Sequence, residues 1–424
     1  MILGSICLLT LVLALAYASV TPYRKAGVLM GPMHGVPVDD IGAPDERQHV
    51  NYVSHLLDGR GIPVMGEDPS APQEGIEYHQ PPLFYLLDAG WAKLTGAGDG
   101  QDADTGMRLR WLDALLAVAT VLGVFFGAKW TLDDDSIALC AAAIAGLLPM
   151  SLALGGAVSN DPLLIALCTW FLALCAQGVV RGWTIRLALL AGGIAGLALL
   201  TKTTALALLP CFALACALAP GKAAERFRAL LAGGGVAVLL ALPWWLRNQA
   251  HYGDPLAMKI FAESFTHTAQ AKDFIAHYGA GDYWLNWVGW WTARSFVGVF
   301  GYMDIFLPDS LYRFALALII LALLLATLGL PAEAPRRRSL AVMLCLTGFV
   351  VAQFLYFNAT YFQAQGRYLY PAIGPIAIFM SLGLARLLGP RAKLAPLAIA
   401  VLLIALNVYI LLRLPGDFQA RTLG

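Results

Sequence analysis

The chain has 424 residues, 59% of them hydrophobic and 13% charged, with a formal net charge of +1 and a mean hydropathy of +0.69. An ordinary soluble domain carries about 25% charged residues, so a soluble fold could not hide this much apolar surface, and an integral membrane protein is the class implied. Nothing in the charge pattern resembles a nucleic-acid surface, and the seven cysteines all fall inside apolar runs, without disulfide or metal-ligand spacing.

Residues 2–20 form the first expected span. The Ala16-Tyr17-Ala18-Ser19 ending could mimic a signal-peptide cleavage site, but the run reads better as a retained helix. A polar segment follows over residues 21–110, rich in Pro and Gly and holding 13 of the 27 acids. Its apolar patches at 50–57 and 83–94 suit short helices lying in the membrane interface. Further runs, each close to the roughly 20 residues that cross a bilayer, lie near 111–130, 136–158, 162–180, 186–201, 203–219, 229–246, 310–330, 339–357, 368–388 and 394–413. With the first, that makes about eleven transmembrane helices in one all-α, polytopic, membrane-embedded domain covering residues 1–424.

Orientation follows from the basic loops. Arg181 and Arg186, then Lys222, Arg226 and Arg228, then Arg336 to Arg338, then Arg386, Arg391 and Lys393 all fall on one side under this count. That side is cytoplasmic by the positive-inside rule. The 21–110 loop is then external, and so is the 247–309 segment. In the latter, Trp284, Trp287, Trp290 and Trp291 recur at helical spacing, so a helix at headgroup level is expected.

The unusual polar residues gather on that external face. Asp45 and Glu46 are adjacent carboxylates with His49 close by, and His79-Gln80 precedes Pro81-Pro82. Ser159-Asn160-Asp161-Pro162 lies between two spans, and Lys202 separates two short apolar runs. Gly192, Gly193 and Gly196 upstream of it permit close helix packing. Arg247-Asn248 opens the second external segment, and Gln365-Gly366-Arg367-Tyr368 starts the tenth span. Acids, bases and amides on one membrane face suit a phosphate-bearing substrate and a carboxylate that takes a proton.

Each residue also has a structural reading. Asp45-Glu46 could be the N-cap and first-turn acid of a helix, after Pro44. Asp161 could be an N-cap with Pro162 at the first helical position. Lys202 could snorkel to headgroups, and Arg367 could be an interface anchor with Tyr368 and Tyr370. Arg247 beside Trp244-Trp245 reads first as an anchor, while His79 and Gln80 could only shape the Pro-Pro turn.

The order of these motifs resembles the GT-C glycosyltransferases. Asp-Glu after the first span, Gln80-Pro-Pro-Leu-Phe-Tyr85, Asn160-Asp-Pro-Leu-Leu164, Leu200-Thr-Lys-Thr-Thr204, Pro243-Trp-Trp-Leu-Arg-Asn248 and Gln365-Gly-Arg-Tyr-Leu-Tyr-Pro371 run in sequence. The likeness is nearest to the bacterial branch using polyprenyl-phosphate sugars, similar to protein O-mannosyltransferases and lipid A aminoarabinose transferases. Phe300-Gly-Tyr-Met-Asp304 before Leu307-Pro308 resembles a further bacterial membrane family related to that branch.

The resemblance implies an inverting transferase in the cytoplasmic (inner) membrane that moves a sugar from a polyprenyl-phosphate-linked donor to a glycan, lipid or protein acceptor outside. It implies Asp45 as the catalytic aspartate with Glu46 its usual neighbour, and Asp161 as a second acid near the site. Lys202 and Arg367 would face the carrier phosphate, with Arg247 a weaker candidate, and His79, Gln80 and Asn160 would line the substrate site. A divalent cation such as Mg²⁺ or Mn²⁺ near Asp45 and Asp161 is compatible with oxygen ligands but not required. No sizeable external domain is expected after the last span, which leaves the acceptor open. A transporter or flippase, or a non-catalytic binding protein for lipid-linked glycans, is the rival reading.

Overall fold

A computed structural model describes residues 1–30, 35–67, 73–266 and 268–422. Helix α1 (Ile2–Val20) leads into the long first loop, which contains a short antiparallel pair, β1 (Gly27–Val28) and β2 (Pro37–Val38). The loop continues through α2 (Glu46–Leu57), a 3-10 turn at Ile76–His79 and α3 (Leu83–Thr95). Both short helices fall on the apolar patches expected for them.

Helix α4 (Ala103–Leu132) starts well before the expected residue 111. The reason is local: Asp102 caps it, accepting from the backbone N–H of Asp104 (2.9 Å) and Thr105 (3.0 Å). The next apolar run divides into α5 (Asp135–Leu147) and α6 (Pro149–Leu154), because Pro149 has no N–H to continue the ladder.

Then come α7 (Asp161–Arg181), α8 (Ile185–Leu199), a 3-10 segment at Thr203–Ala207, α9 (Leu208–Leu218) and α10 (Ala223–Tyr252). The 247–309 segment holds α11 (Met258–Ser264), α12 (Ala271–Tyr278) and the single turn α13 (Ala280–Asp282). A π-helical stretch at Tyr283–Trp290 runs on into α14 (Trp291–Val297). The hairpin of β3 (Val299–Phe300) and β4 (Ile305–Phe306) pairs Val299 with Phe306 and Phe300 with Ile305. Helices α15 (Asp309–Ala326), α16 (Ala334–Asn358), a 3-10 segment at Gly366–Ala372, α17 (Ile373–Leu388) and α18 (Ala395–Gln419) complete the chain.

Among the described residues seven segments are long and apolar enough to cross a membrane: α1, α4, α7, α10, the α15 region, α16 and the 366–419 run that contains α17 and α18. The shorter apolar helices are α5, α8 and the Thr203–Leu218 run ending in α9. Every expected run is thus helical.

Helix α7 is the most enclosed of the spanning helices, with 78% of its apolar window buried. Small residues set its spacing. A Cβ on Gly123 of α4 would lie 2.4 Å from the Thr169 hydroxyl of α7, and one on Gly192 of α8 would lie 2.0 Å from the Gly233 carbonyl of α10. A Cβ on Gly196 would lie 2.7 Å from Leu240, but Gly193 faces open space, so only two of the three glycines serve packing.

The expected tryptophan belt is partly folded inward. Trp287 packs edge-on to Phe274 and Phe362 and stacks on Trp291. At the other end of the chain, Asn407 of α18 accepts from the Tyr17 hydroxyl of α1 (2.7 Å) and donates to the Leu147 carbonyl (2.8 Å).

Candidate active site

Asp45 holds the N-cap position of α2, yet its side chain makes no capping bond, and its backbone sits in the left-handed region at φ 63°. For a residue other than glycine that conformation carries strain, although aspartate tolerates it better than most. The carboxylate instead takes a charge-assisted hydrogen bond from Arg367 Nη2. The structure therefore separates the capping reading from the other one: the side chain is aimed at a buried cation rather than at its own helix.

Arg367 reaches this point because its segment is pinned to α14. Gly366 donates its N–H to the Ser295 hydroxyl (2.7 Å), and a Cβ there would lie 2.3 Å from the Phe296 nitrogen, so no larger residue fits. The Tyr370 hydroxyl donates to the Phe296 carbonyl (2.8 Å).

Asp161 comes from the opposite side. Helix α7 begins at Asp161 itself, with Asn160 at the N-cap position and no side-chain cap. That sets aside the alternative reading of Asp161 as a cap and leaves its carboxylate free to accept from Lys202 Nζ at 2.6 Å. Arg367 Nη1 stands 3.9 Å from the same carboxylate. Lys202 is set at the break between α8 and the 3-10 segment, where Asn160 Nδ2 reaches the Thr201 carbonyl (3.4 Å). Leu83, just after the Pro-Pro turn, donates its N–H to the Leu200 carbonyl (2.9 Å). Two carboxylates and two cations thus interlock, with Arg367 bridging the acids and Tyr368 lying 5.3 Å from its guanidinium and 5.9 Å from the Lys202 ammonium.

The quartet forms part of the wall of a cavity of about 670 Å³. His49, Glu77, His79 and Gln80 lie at the same polar end, whereas Leu208, Leu346, Val350, Phe354 and Phe357 supply an apolar remainder from α9 and α16. Burial pushes the Asp45 carboxyl up, but Arg367, aided by His49 and Lys202, outweighs that and holds it below the usual carboxylate range. Burial also lowers His49, whose Nδ1 shares a 2.9 Å hydrogen bond with the Tyr85 hydroxyl. His79 is pushed down to about 4 by burial, despite its Nδ1 lying 2.8 Å from the Ile76 carbonyl.

Three of the sequence candidates lie elsewhere. Glu46 is not in the cavity wall: its carboxylate is gripped in two-pronged fashion by Arg110 (2.7 and 2.6 Å) and accepts the Val158 N–H (2.8 Å). Arg247 lies over Trp244, 4.8 Å from its ring, and donates to the carbonyls of Ile62 (3.2 Å) and Pro63 (2.6 Å). It stitches the first loop to α10. Asn160 supports the Lys202 backbone turn rather than lining the cavity. Conversely, sequence reasoning passed over Glu77 and Tyr302, both in the cavity wall. Only the Phe300-Gly-Tyr-Met-Asp304 motif gave a signal for the second.

Among the described residues no three His, Cys, Asp or Glu side chains come together as a metal's ligand set. Asp45 and Asp161 are instead bridged by the Arg367 guanidinium in this arrangement.

Fold and site together define a polytopic helical membrane protein with a charged reaction-sized cavity next to an apolar groove. Its fold is similar to those of solved lipid-linked transferase structures, ArnT and an archaeal oligosaccharyltransferase. The family model for dolichyl-phosphate-mannose-protein mannosyltransferases matches residues 79–246, which include Asp161 and Lys202 but not Asp45 or Arg367. ArnT from Cupriavidus metallidurans bound to undecaprenyl phosphate is similar over 94% of this chain and 62% of its own, at 16% identity and a TM-score of 0.54. The Archaeoglobus fulgidus oligosaccharyltransferase in the apo form is similar over 99% of this chain and 56% of its own, at 12% identity and a TM-score of 0.57. The chain thus spans about three fifths of the length of those solved structures. No curated protein matches the sequence.

Proposed function

We propose that this protein transfers a sugar from a polyprenyl-phosphate-linked donor to a cell-envelope acceptor on the external face of the cytoplasmic membrane. The observation that carries the reading is the joining of one interlocked charge quartet to an apolar groove in a single cavity. A lipid-linked sugar phosphate has the same two halves. The solved ArnT structure holds undecaprenyl phosphate, and a related archaeal oligosaccharyltransferase structure holds a dolichol-phosphate, which supports a donor of this class.

In this reading the phosphate of the donor sits against Lys202 and Arg367, and the carrier lies along the α9 and α16 side chains. The acceptor hydroxyl oxygen forms a bond to the anomeric carbon from the face opposite the phosphate. The bond from that carbon to the phosphate oxygen breaks, its electron pair leaves with the carrier phosphate, and the anomeric centre inverts. The acceptor proton passes to Asp45. Lys202 and Arg367 stabilise the charge that develops on the leaving oxygens.

The Arg367–Asp45 contact couples the two halves of the reaction. While Arg367 is turned to Asp45, the carboxylate is a weak base. A phosphate competing for the guanidinium, whose fork suits phosphate as well as carboxylate, raises the basicity of Asp45 when the donor is in place.

The test is a radiolabelled set of undecaprenyl-phosphate sugars offered to purified protein in nanodiscs with envelope extract as acceptor. Label moving to the extract supports transfer. Movement of intact donor across the bilayer without product would replace it with a transporter, and binding alone with an accessory role.

A further inference from the structure

The β3–β4 hairpin places Tyr302 and Met303 at its tip, in the wall of the cavity. Tyr302 comes from neither of the helices that supply the apolar groove, and it shares the cavity wall with Asp45 and Arg367, the two charges that act most strongly on its hydroxyl. Its ring therefore borders the polar end, where the reacting sugar would lie. The residue is also 40% exposed, so the fold does not consume it as core.

The tip is held with unusual rigidity for a two-residue-per-strand hairpin. Gly301 and Met303 both adopt left-handed backbone, at φ 63° and 61°. A Cβ at Gly301 would lie 2.2 Å from Arg421 Nη1, so the guanidinium fills the space that any side chain there would need. Arg421, wholly buried beyond the end of α18, pairs with Asp304 (2.8 Å) and donates to the carbonyls of Val28 (3.2 Å) and Ile41 (2.8 Å). Asp304 also accepts the Met30 N–H (2.7 Å). At the base, the Tyr312 hydroxyl donates to the Gly298 carbonyl (2.7 Å) and accepts from the Leu307 N–H (2.9 Å). A tip with one strained residue, Met303, clasped from three directions fits a device that fixes one side chain over the cavity.

We propose that Tyr302 is a specificity-determining contact for the sugar ring, and that Asp304 and Arg421 are positioning residues that hold it over Asp45. The inference rests on the transfer reading above. Chemically, the aromatic face covers the C–H face of a pyranose or furanose while the hydroxyl offers one donor and one acceptor to the ring substituents. Sugars differ in those substituents, whereas the carrier phosphate is common to all of them.

The experiment compares binding of undecaprenyl phosphate with binding of the same lipid carrying a single hexose or pentose, using intact protein in nanodiscs. The wild type is expected to bind one glycosylated form more tightly than the bare lipid. Tyr302→Ala should shrink that difference roughly two- to tenfold, in line with an aromatic contact, and leave the bare-lipid dissociation constant within about twofold. Tyr302→Phe should keep the ring's share and lose the hydroxyl's. Asp304→Asn should produce a smaller fall in the same difference, and should add nothing in a Tyr302→Ala background, because the clasp acts through that ring.

Equal weakening of both lipids in Tyr302→Ala, or an unchanged difference, would overturn the assignment. So would a full additive effect of Asp304→Asn on top of Tyr302→Ala. A wild type that binds bare and glycosylated lipid equally sinks the hairpin proposal alone. A wild type that binds none of them sinks the transfer reading and the hairpin with it.

Discussion

Asp45 and Glu46 are neighbours in the chain and belong to two different buried ion clusters. Arg110, the partner of Glu46, spends every N–H it has: two on Glu46, and the others on the carbonyls of Ala18 (2.6 Å), Thr21 (2.8 Å) and Pro22 (3.1 Å). Glu46 in turn takes the Val158 N–H, so this cluster ties the end of α1, the start of α2, helix α4 and the strand of chain leading to Asp161. Neither Glu46 nor Arg110 lines the cavity, and the guanidinium has no N–H left over. The Asp45 cluster differs in both respects: it borders the cavity, and Arg367 Nε has no hydrogen-bond partner among the described residues. A saturated ion cluster is a joint, whereas one with spare donors beside a cavity is equipped to receive something.

Breaking each cluster should therefore produce different kinds of loss. Asp45→Asn keeps the shape and removes the base, so transfer should fall by about 10²–10⁴ in kcat/KM while thermal unfolding in detergent stays near wild type. Near-normal turnover would remove Asp45 as proton acceptor. Glu46→Ala leaves Arg110 buried without its anion, a change worth about 3–5 kcal/mol of stability. The expected result is little folded protein, with whatever survives showing near-normal activity per folded molecule. A well-folded but inactive Glu46→Ala protein would place Glu46 in the chemistry and erase the distinction drawn above.

Lys202→Ala sharpens the comparison from the cation side. It should lower transfer by about 10²–10³, the effect of deleting one group that stabilises a developing oxyanion, with a smaller effect on folding than Glu46→Ala. Donor titrations in nanodiscs check it. Equal loss of folded protein in the two variants would make Lys202 structural.

How far the chain revealed this in advance follows from what each feature needs. The helices were legible because crossing a bilayer demands long apolar runs, and those stand out one by one. The break at Pro149 and the early start of α4 depend on a missing N–H and one capping carboxylate, signals spread over only two or three residues. Asp45, Asp161, Lys202 and Arg367 drew notice because isolated charges at span ends are expensive and so rarely accidental. Glu46 carried the same signal, and its partner could not be read locally, since Arg110 stands 64 residues away. Arg247 was ambiguous for a similar reason: the carbonyls it serves belong to residues 62 and 63. Tyr302 has no charge to betray it, and only the hairpin geometry brings it to the cavity.

The smallest expected effect concerns pH. His79, pushed down to about 4, is neutral in the folded protein over a range in which the unfolded chain, at the ordinary histidine value near 6.5, binds a proton. The unfolded state thus carries more protons between those two values, and stability falls as pH drops through that window. His49 is shifted in the same direction and adds to the slope. Asp45 does not contribute there, because its carboxyl is held below the usual carboxylate range and the Arg367 pair is lost only in stronger acid. His79→Gln should flatten the decline in melting temperature between pH 6.5 and pH 5 by a few degrees at most, while leaving Glu46→Ala as unstable at neutral pH as before. An unchanged slope in His79→Gln would mean that the ring stays protonated against its buried surroundings, and the cavity would then hold a third cation facing the donor phosphate.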